Sequence, residues 1–245
     1  MIFMTRFKWN DILNKNRIKE YKSAKKNFDG RDEFENDYDR ILFSASFRRL
    51  QDKAQVFPLE KLDFVRTRLT HSLEVSSIGK SLGMIIGLQL IPLTKGTDDE
   101  IDFQMVEEIG NVLSCAGLIH DLGNPPFGHF GEVAIREWFA SKLKENRDGS
   151  FCFKFEEYEF NLERQEALDL LNFEGNAQGL RILTKLHFVI DRYGMNLTTG
   201  VLNSIIKYPI SSLELGNKKF GGKKIGYFKA EENTFNYIIN STKIG

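Results

Sequence analysis

The feature that most constrains this chain is a helix-forming run that stops abruptly. In "MVEEIGNVLSCAGLIH", Val106, Ile109, Leu113, Ala116 and Ile119 recur mostly at three- and four-residue steps, the spacing of an amphipathic helix with one buried stripe. Gly123 and the pair Pro125-Pro126 then end it. His120 and Asp121 therefore stand at the C-terminal end of a buried helix. Neighbouring side chains on a regular helix diverge by about 100°, so both reach one ion only if it lies between their directions or the helix is ending. An imidazole and a carboxylate together suit a borderline or hard divalent ion. Two ligands are too few, and the next histidine upstream is His71 in "RTRLTHSLEV", where a second helix is expected through Leu73, Ile78 and Leu82. One ion could then be shared by His71 and His120-Asp121.

Further groups lie close in sequence. His129 and Glu132 are three apart at the start of a helix whose core side is Val133, Ala134, Trp138, Phe139 and Leu143, so they can face one cleft. Histidine suits proton transfer, and a nearby carboxylate can orient it and stabilise its cation. The plainer alternative is a cap for that helix. Arg68, three residues before His71, could hold a phosphate oxygen beside a metal. Spacing does not separate it from Arg66, and it could instead pair with Glu74. Arg48 and Arg49 read as a solvated helix edge or a phosphate contact.

The chain's 245 residues suffice for one large domain or two small ones. Its 34 basic and 34 acidic side chains cancel, so no global charge bias favours nucleic acid or a membrane surface. Arg6 and Lys8 interrupt an N-terminus that is never apolar for long, which predicts neither signal peptide nor membrane span there and hence a cytoplasmic protein. Cys115 and Cys152 read as small core residues, suiting a reducing compartment. Residues 20–33 are charged and expected to be loosely held. A helix or two should run from Phe34 to near Pro58, with Ile41, Leu42, Ala45 and Leu50 inward. Pro92, Gly96 and the aspartates that follow predict a loop between Leu90 and Asp102. Residues 144–160 predict a loop or short hairpin around Asp148-Gly149, and two helices broken at Gly175 should follow, with Asn176 as a possible cap. His187 reads as a core or surface residue. Another helix should end at Pro209, and the lysine- and glycine-rich tail reads as a flexible basic loop without a clear terminal element.

Four stretches, "QVFPLE", "RLTHSLEV", "HDLGNPPFGHFGE" and "FEGNAQGLRIL", closely resemble motifs of bacterial deoxyguanosine triphosphate triphosphohydrolases, members of the HD-domain metal-dependent phosphohydrolases. The similarity runs in the family's order from about Asp39 to Tyr208. It implies an all-α, mainly helical fold: an HD-domain bundle around a metal cleft at 34–210, with an N-terminal arm at 1–33 and a tail at 211–245. The implied activity is hydrolysis of dGTP, or another deoxynucleoside triphosphate, to deoxynucleoside and tripolyphosphate by a metal-activated water. By the same resemblance His71, His120 and Asp121 are metal ligands, and His129 with Glu132 assists proton transfer. Arg68 and Lys207 meet phosphate, Gln55 meets the sugar 3′-hydroxyl, Tyr208 packs near the sugar, and Asn176 belongs to the supporting polar shell. The ion is expected to be Mg²⁺ or Mn²⁺, although two histidines also suit Fe²⁺ or Co²⁺.

The chain departs from the family in one respect. A fourth ligand, an aspartate from a later helix, has no match, and neither Asp191 nor anything after Tyr208 replaces it convincingly. Three ligands and water can still hold a metal in an open site, so a chain lacking the family's C-terminal part is expected. Two alternatives stand beside the leading one. The first is a catalytically weak fragment that binds nucleotide, single-stranded DNA or partner subunits, a homo-oligomer included. The second is an HD phosphohydrolase with another nucleotide substrate.

Overall fold

Helices dominate the structure, a computed structural model that describes residues 8–20, 30–53, 55, 64–187, 193–216 and 222–243. In chain order they are α1 (Trp9–Ile12), α2 (Glu33–Leu42), α3 (Ala45–Arg48), α4 (Arg68–Thr94), α5 (Phe103–Ile119), α6 (His129–Lys142), α7 (Arg164–Leu171), α8 (Gly175–Arg181), α9 (Thr199–Ser204) and α10 (Glu232–Thr242). Local chemistry sets several of their starts. Asp32 and Glu35 form a reciprocal capping box for α2, and Ser44 accepts the Phe47 N–H at 3.1 Å to open α3.

The core is organised on α5, which buries Ile109, Val112, Cys115, Leu118 and Ile119 in one cluster with Phe34 and Ile41 of α2, Phe47 of α3 and Val201 and Leu202 of α9. Its first turn is held by Asp102, whose carboxylate accepts the Met105 N–H at 2.8 Å. Asp102→Ala should cost about 1 kcal/mol, the ordinary value of a lost N-cap, read as a lower midpoint in urea unfolding with an unchanged slope.

The fold is not strictly all-α. A small antiparallel sheet, β1 (Leu143–Glu145), β2 (Phe151–Phe155) and β3 (Tyr158–Leu162), stands in the order β1-β2-β3. The run "FCFKF" alternates with period two, so Phe151, Phe153 and Phe155 share one face. Phe153 and Phe155 meet Trp138 of α6 at ring-centroid distances of 5.9 and 5.7 Å. The hairpin expected around Asp148-Gly149 is thus one half of a three-stranded unit; its second turn lies at Glu156-Glu157.

Two other expectations are corrected. Pro92 does not begin a loop, because α4 continues through it to Thr94. A proline deletes only one donor in the ladder, and near the helix end the Thr94 hydroxyl donates to the Leu90 carbonyl at 3.0 Å. The tail does have a terminal element. Ile225, Tyr227 and Phe228 are buried, Tyr227 stacks on Phe235 at 4.1 Å, and α10 packs on α9. Part of the lysine- and glycine-rich run, 217–221, lies outside the described residues, as do 21–29 of the segment expected to be loose, and Pro58 and Asp191. Cys115 and Cys152 are buried free thiols.

The outer face of α4 is apolar and open: Ile78 is 60% exposed and Ile85 53%. By length and composition α4 could cross a membrane. Its opposite face, however, is packed along α5.

Candidate metal centre

Glycines bring α4 and α5 together. A Cβ added to Gly83 would stand 2.9 Å from Gly110 Cα, and one added to Gly87 would stand 3.1 Å from Val106. Only hydrogen at these positions allows so close an approach. The helix expected through Leu73, Ile78 and Leu82 is α4, but its buried face is Arg68, Ser72, Ser76, Gly83 and Gly87, and those three apolar side chains face outward. This antiparallel pairing sets the first turn of α4 beside the last turn of α5. His71 thereby reaches His120, with ring centroids 5.2 Å apart and planes at 69°.

His71, His120 and Asp121 offer ligand atoms that all lie within 4.8 Å of one another. His120 closes α5, and its Nδ1 lies 2.7 Å from the Gly117 carbonyl. A carbonyl only accepts, so Nδ1 carries the proton and Nε2 keeps its lone pair for the cluster. Asp121 is 8% exposed. Its Oδ2 accepts from Arg68 Nη1 at 2.8 Å and Gln55 Nε2 at 3.1 Å, and its Oδ1 from Asn124 Nδ2 at 2.6 Å. Each oxygen retains lone-pair capacity beyond these bonds. Two imidazoles and one oriented carboxylate, each fixed by a second partner or by helix packing, fit a divalent ion in an open site. Among the described residues no fourth His, Cys, Asp or Glu joins the three.

Sequence reasoning missed Lys53 and the full role of Asn124. Lys53 Nζ donates to the Asn124 carbonyl at 2.9 Å, and burial followed by the nearby Arg68 pushes its pKa down. Asn124 had a legible signal, an amide three residues after Asp121 inside the motif. Lys53 had none, being one lysine among many.

The connection from α5 to α6 is tight. Gly123 packs against the Gly175 carbonyl and Gly179 N–H of α8 with no room for a side chain, and Phe127 and Gly128 both take positive φ, 64° and 55°. For a phenylalanine this is a strained, left-handed conformation. Gly128 lies against the Arg68 guanidinium, where an added Cβ would sit 3.2 Å from Nη2. His129 follows with its side chain 82% exposed and Nδ1 2.9 Å from Glu132 Oε2. Glu132 is nearly sealed, and its Oε1 accepts the Gly175 N–H at 2.9 Å. Burial alone would raise its pKa. The His129 and Gly175 hydrogen bonds outweigh this, and the carboxylate is held below its ordinary range.

The remaining sequence-derived candidates stand apart. Asn176 donates to Glu174 Oε1 at 2.8 Å, and Glu174, the N-cap of α8, also takes Lys224 and Arg136. Asn176 is thus not the helix cap. Lys207 lies over the Tyr208 ring at 5.5 Å, and among the described residues neither makes a hydrogen bond or ion pair to the three clustered ligands. His187 is a buried histidine whose Nδ1 lies 2.7 Å from the Ser46 hydroxyl, and burial lowers its pKa. Glu231 is buried with Arg181 and Lys185 and does not join the cluster.

The sequence profile of the HD domain matches residues 68–195, from the start of α4 past α8. A deoxyguanosinetriphosphate triphosphohydrolase-like protein of Listeria monocytogenes is 50% identical over 237 residues, 96% of this chain and 50% of the relative. A like-named protein of Synechocystis is 40% identical over 244 residues, covering 95% of this chain and 51% of its own length. The deoxyguanosinetriphosphate triphosphohydrolase of Salmonella enteritidis is 37% identical over 216 residues, 81% and 41% respectively. The chain thus spans about half the length of the curated relatives it matches.

Proposed function

This chain belongs to the HD-domain family, and from that premise we propose that it hydrolyses a deoxynucleoside triphosphate, dGTP foremost, to the deoxynucleoside and intact tripolyphosphate. The observation that carries the reading is the meeting of His71, His120 and Asp121 beside an exposed histidine braced by a buried carboxylate. The names of the relatives supply the substrate class.

On this reading His71, His120 and Asp121 hold a divalent ion, Mg²⁺ or Mn²⁺, which when bound polarises phosphate oxygens and lowers the pKa of water. Arg68 anchors Asp121 through Nη1, and the rest of its guanidinium fork is assigned to a phosphate oxygen. Lys53 adds a second cation beside it. Gln55 is assigned to the sugar 3′-hydroxyl, Lys207 to phosphate, Tyr208 to the sugar, and Asn176 to the supporting polar shell. Water attacks the α-phosphorus, the bond to the 5′-oxygen breaks, and His129 delivers a proton to that oxygen. Glu132 keeps Nδ1 of His129 protonated and balances the cation, so Nε2 is the atom that exchanges the proton.

The test is product analysis after incubating the purified chain with dGTP and Mn²⁺. Release of tripolyphosphate supports the reading. Pyrophosphate or orthophosphate from the same substrate would point to another phosphohydrolase, and nucleotide binding without turnover to a weak fragment. The open apolar face of α4 and the three-ligand centre favour that last reading second, with self-association as its companion. His129→Ala should leave metal content unchanged and lower turnover by roughly a hundredfold, the scale of a lost general acid. Equal turnover in steady-state assays would remove His129 from the reaction.

A further inference from the structure

The face of α6 that carries His129 and Glu132 continues one turn further to Arg136, four residues after Glu132. Behind His129 the charges alternate. Its Nδ1 lies 2.9 Å from Glu132 Oε2, and Arg136 Nη2 lies 3.6 Å from the same oxygen. Arg136 is itself fixed, because its Nε donates to the Phe173 carbonyl at 2.7 Å and its Nη2 to Glu174 Oε2 at 3.3 Å. Glu174, only 1% exposed as the N-cap of α8, accepts from Lys224 Nζ through Oε1 at 3.0 Å. The ladder runs His129, Glu132, Arg136, Glu174, Lys224, and it ties α6 to the start of α8 and to the segment before α10.

A carboxylate as deeply buried as Glu132 stays ionised only with donors or cations around it. His129 supplies one cation while it is protonated. Once the ring has given up its proton that charge is gone, and the positive groups still facing Glu132 are Arg136 and Lys224. Burial works against ionisation here, and the hydrogen bonds from His129 and Gly175 with the charge of Lys224 overcome it. Two cations left alone would in turn repel the imidazolium. Glu174 prevents this, since with it the two carboxylates and two cations behind the ring cancel. From another element, Arg68 of α4 lies against Gly128 beside His129.

We propose that Arg136, Glu174 and Lys224 are positioning residues for His129, acting through Glu132 to keep that carboxylate charged and aimed at Nδ1 whether or not the ring is protonated. Their role presupposes that His129 exchanges a proton with the leaving oxygen, the reading given above. Among the described residues none of the three bonds to His71, His120 or Asp121, so the ladder acts on the proton and not on the metal centre.

The experiment has two readouts: the pH titration of the His129 ring by nitrogen NMR, its signal identified by its absence in His129→Ala, and the pH profile of dGTP turnover with Mn²⁺. Glu174→Gln leaves two cations uncompensated and should move the titration midpoint of the ring down, whereas Lys224→Met removes a cation and should move it up. Each shift should be roughly half a pH unit, below the about one to three units of a charge in direct contact, because the ring is exposed and screened. The high-pH limb of turnover should move with the midpoint, since a general acid is spent once deprotonated. Arg136→Met loosens Glu132 and should lower kcat by roughly tenfold or more with KM little changed. Thermal melts establish that each variant is folded. A merely structural role would move the melts and would not give midpoint shifts of opposite sign. Midpoints that stay put in the folded variants, or that both move the same way, would overturn the proposal. If Glu174→Gln does not fold, Lys224→Met decides alone, and an unchanged or lowered midpoint overturns it. The NMR titration needs no turnover, so opposite shifts in a chain that releases no tripolyphosphate would count against the hydrolase reading and not against the ladder.

Discussion

Replacing His120 with Ala is expected to release the divalent ion and take tripolyphosphate formation to background. His120 is the cleanest of the three proposed ligands to remove. Its side chain is 36% exposed, and the hydrogen bond lost with it is the one to the Gly117 carbonyl, which water can satisfy once the ring is gone. Asp121 is a poorer choice, because its loss would strand the buried Arg68 guanidinium, and removing one partner of a buried ion pair costs about 3–5 kcal/mol in stability. A drop in activity there would confuse unfolding with metal loss. Loss of a group that only orients a ligand already costs about 10- to 100-fold in metal affinity or activity. Loss of one of the three proposed ligands should exceed that. The measurements are metal stoichiometry by elemental analysis, dGTP turnover with added Mn²⁺, and a thermal melt showing that the variant remains folded. If His120→Ala keeps its ion at the original stoichiometry, the centre is not where His71, His120 and Asp121 meet.

Gly123→Ala should be strongly disruptive, although it adds a single methyl group. At most sites an added methyl can be met by a neighbouring side chain turning aside. Here the obstacles are the Gly175 carbonyl and the Gly179 N–H and Cα, all backbone atoms of α8. They move only if the helix moves. A shift of α8 would also pull the Gly175 N–H from Glu132, and Glu132 is what braces His129. Overpacking of this kind costs about 3 kcal/mol or more, a fall of roughly 1 M or more in the urea midpoint at ordinary slopes. Turnover should fall with it, even below the transition. Gly149→Ala is the matched control. That glycine sits at φ 82° in the β1–β2 turn with nothing within 4 Å of an added Cβ, so only the left-handed backbone cost of about 1 kcal/mol remains. Equal destabilisation by the two substitutions would show that α8 does not rest on Gly123.

The sequence by itself determined the parts of this protein that depend on neighbours in the chain. The period of Val106 to Ile119 marked the buried face of α5. Gly123 and the prolines marked its end, which puts His120 and Asp121 at a terminus where both can turn to one point. The three-residue step from His129 to Glu132 was likewise readable, since one helical turn sets it. The alternation in "FCFKF" beside Asp148-Gly149 made a short hairpin legible too, but β1 with its "LKE" sequence exists only because β2 pairs with it.

Tertiary structure decided what depends on partners distant in sequence. Which face of α4 turns inward could not be read from hydropathy. The leucines and isoleucines are the apolar choice, yet the glycines won, because only they let two helix backbones approach closely enough to bring His71 to His120. The tail's lysines and glycines masked Ile225, Tyr227 and Phe235, whose burial depends on α9 and the core being there to receive them. Arg68 was legible as a cation near His71, but its hold on Asp121, 53 residues away, was not. Local spacing specifies where a side chain points along its own helix; the identity of what it meets is a property of long-range packing.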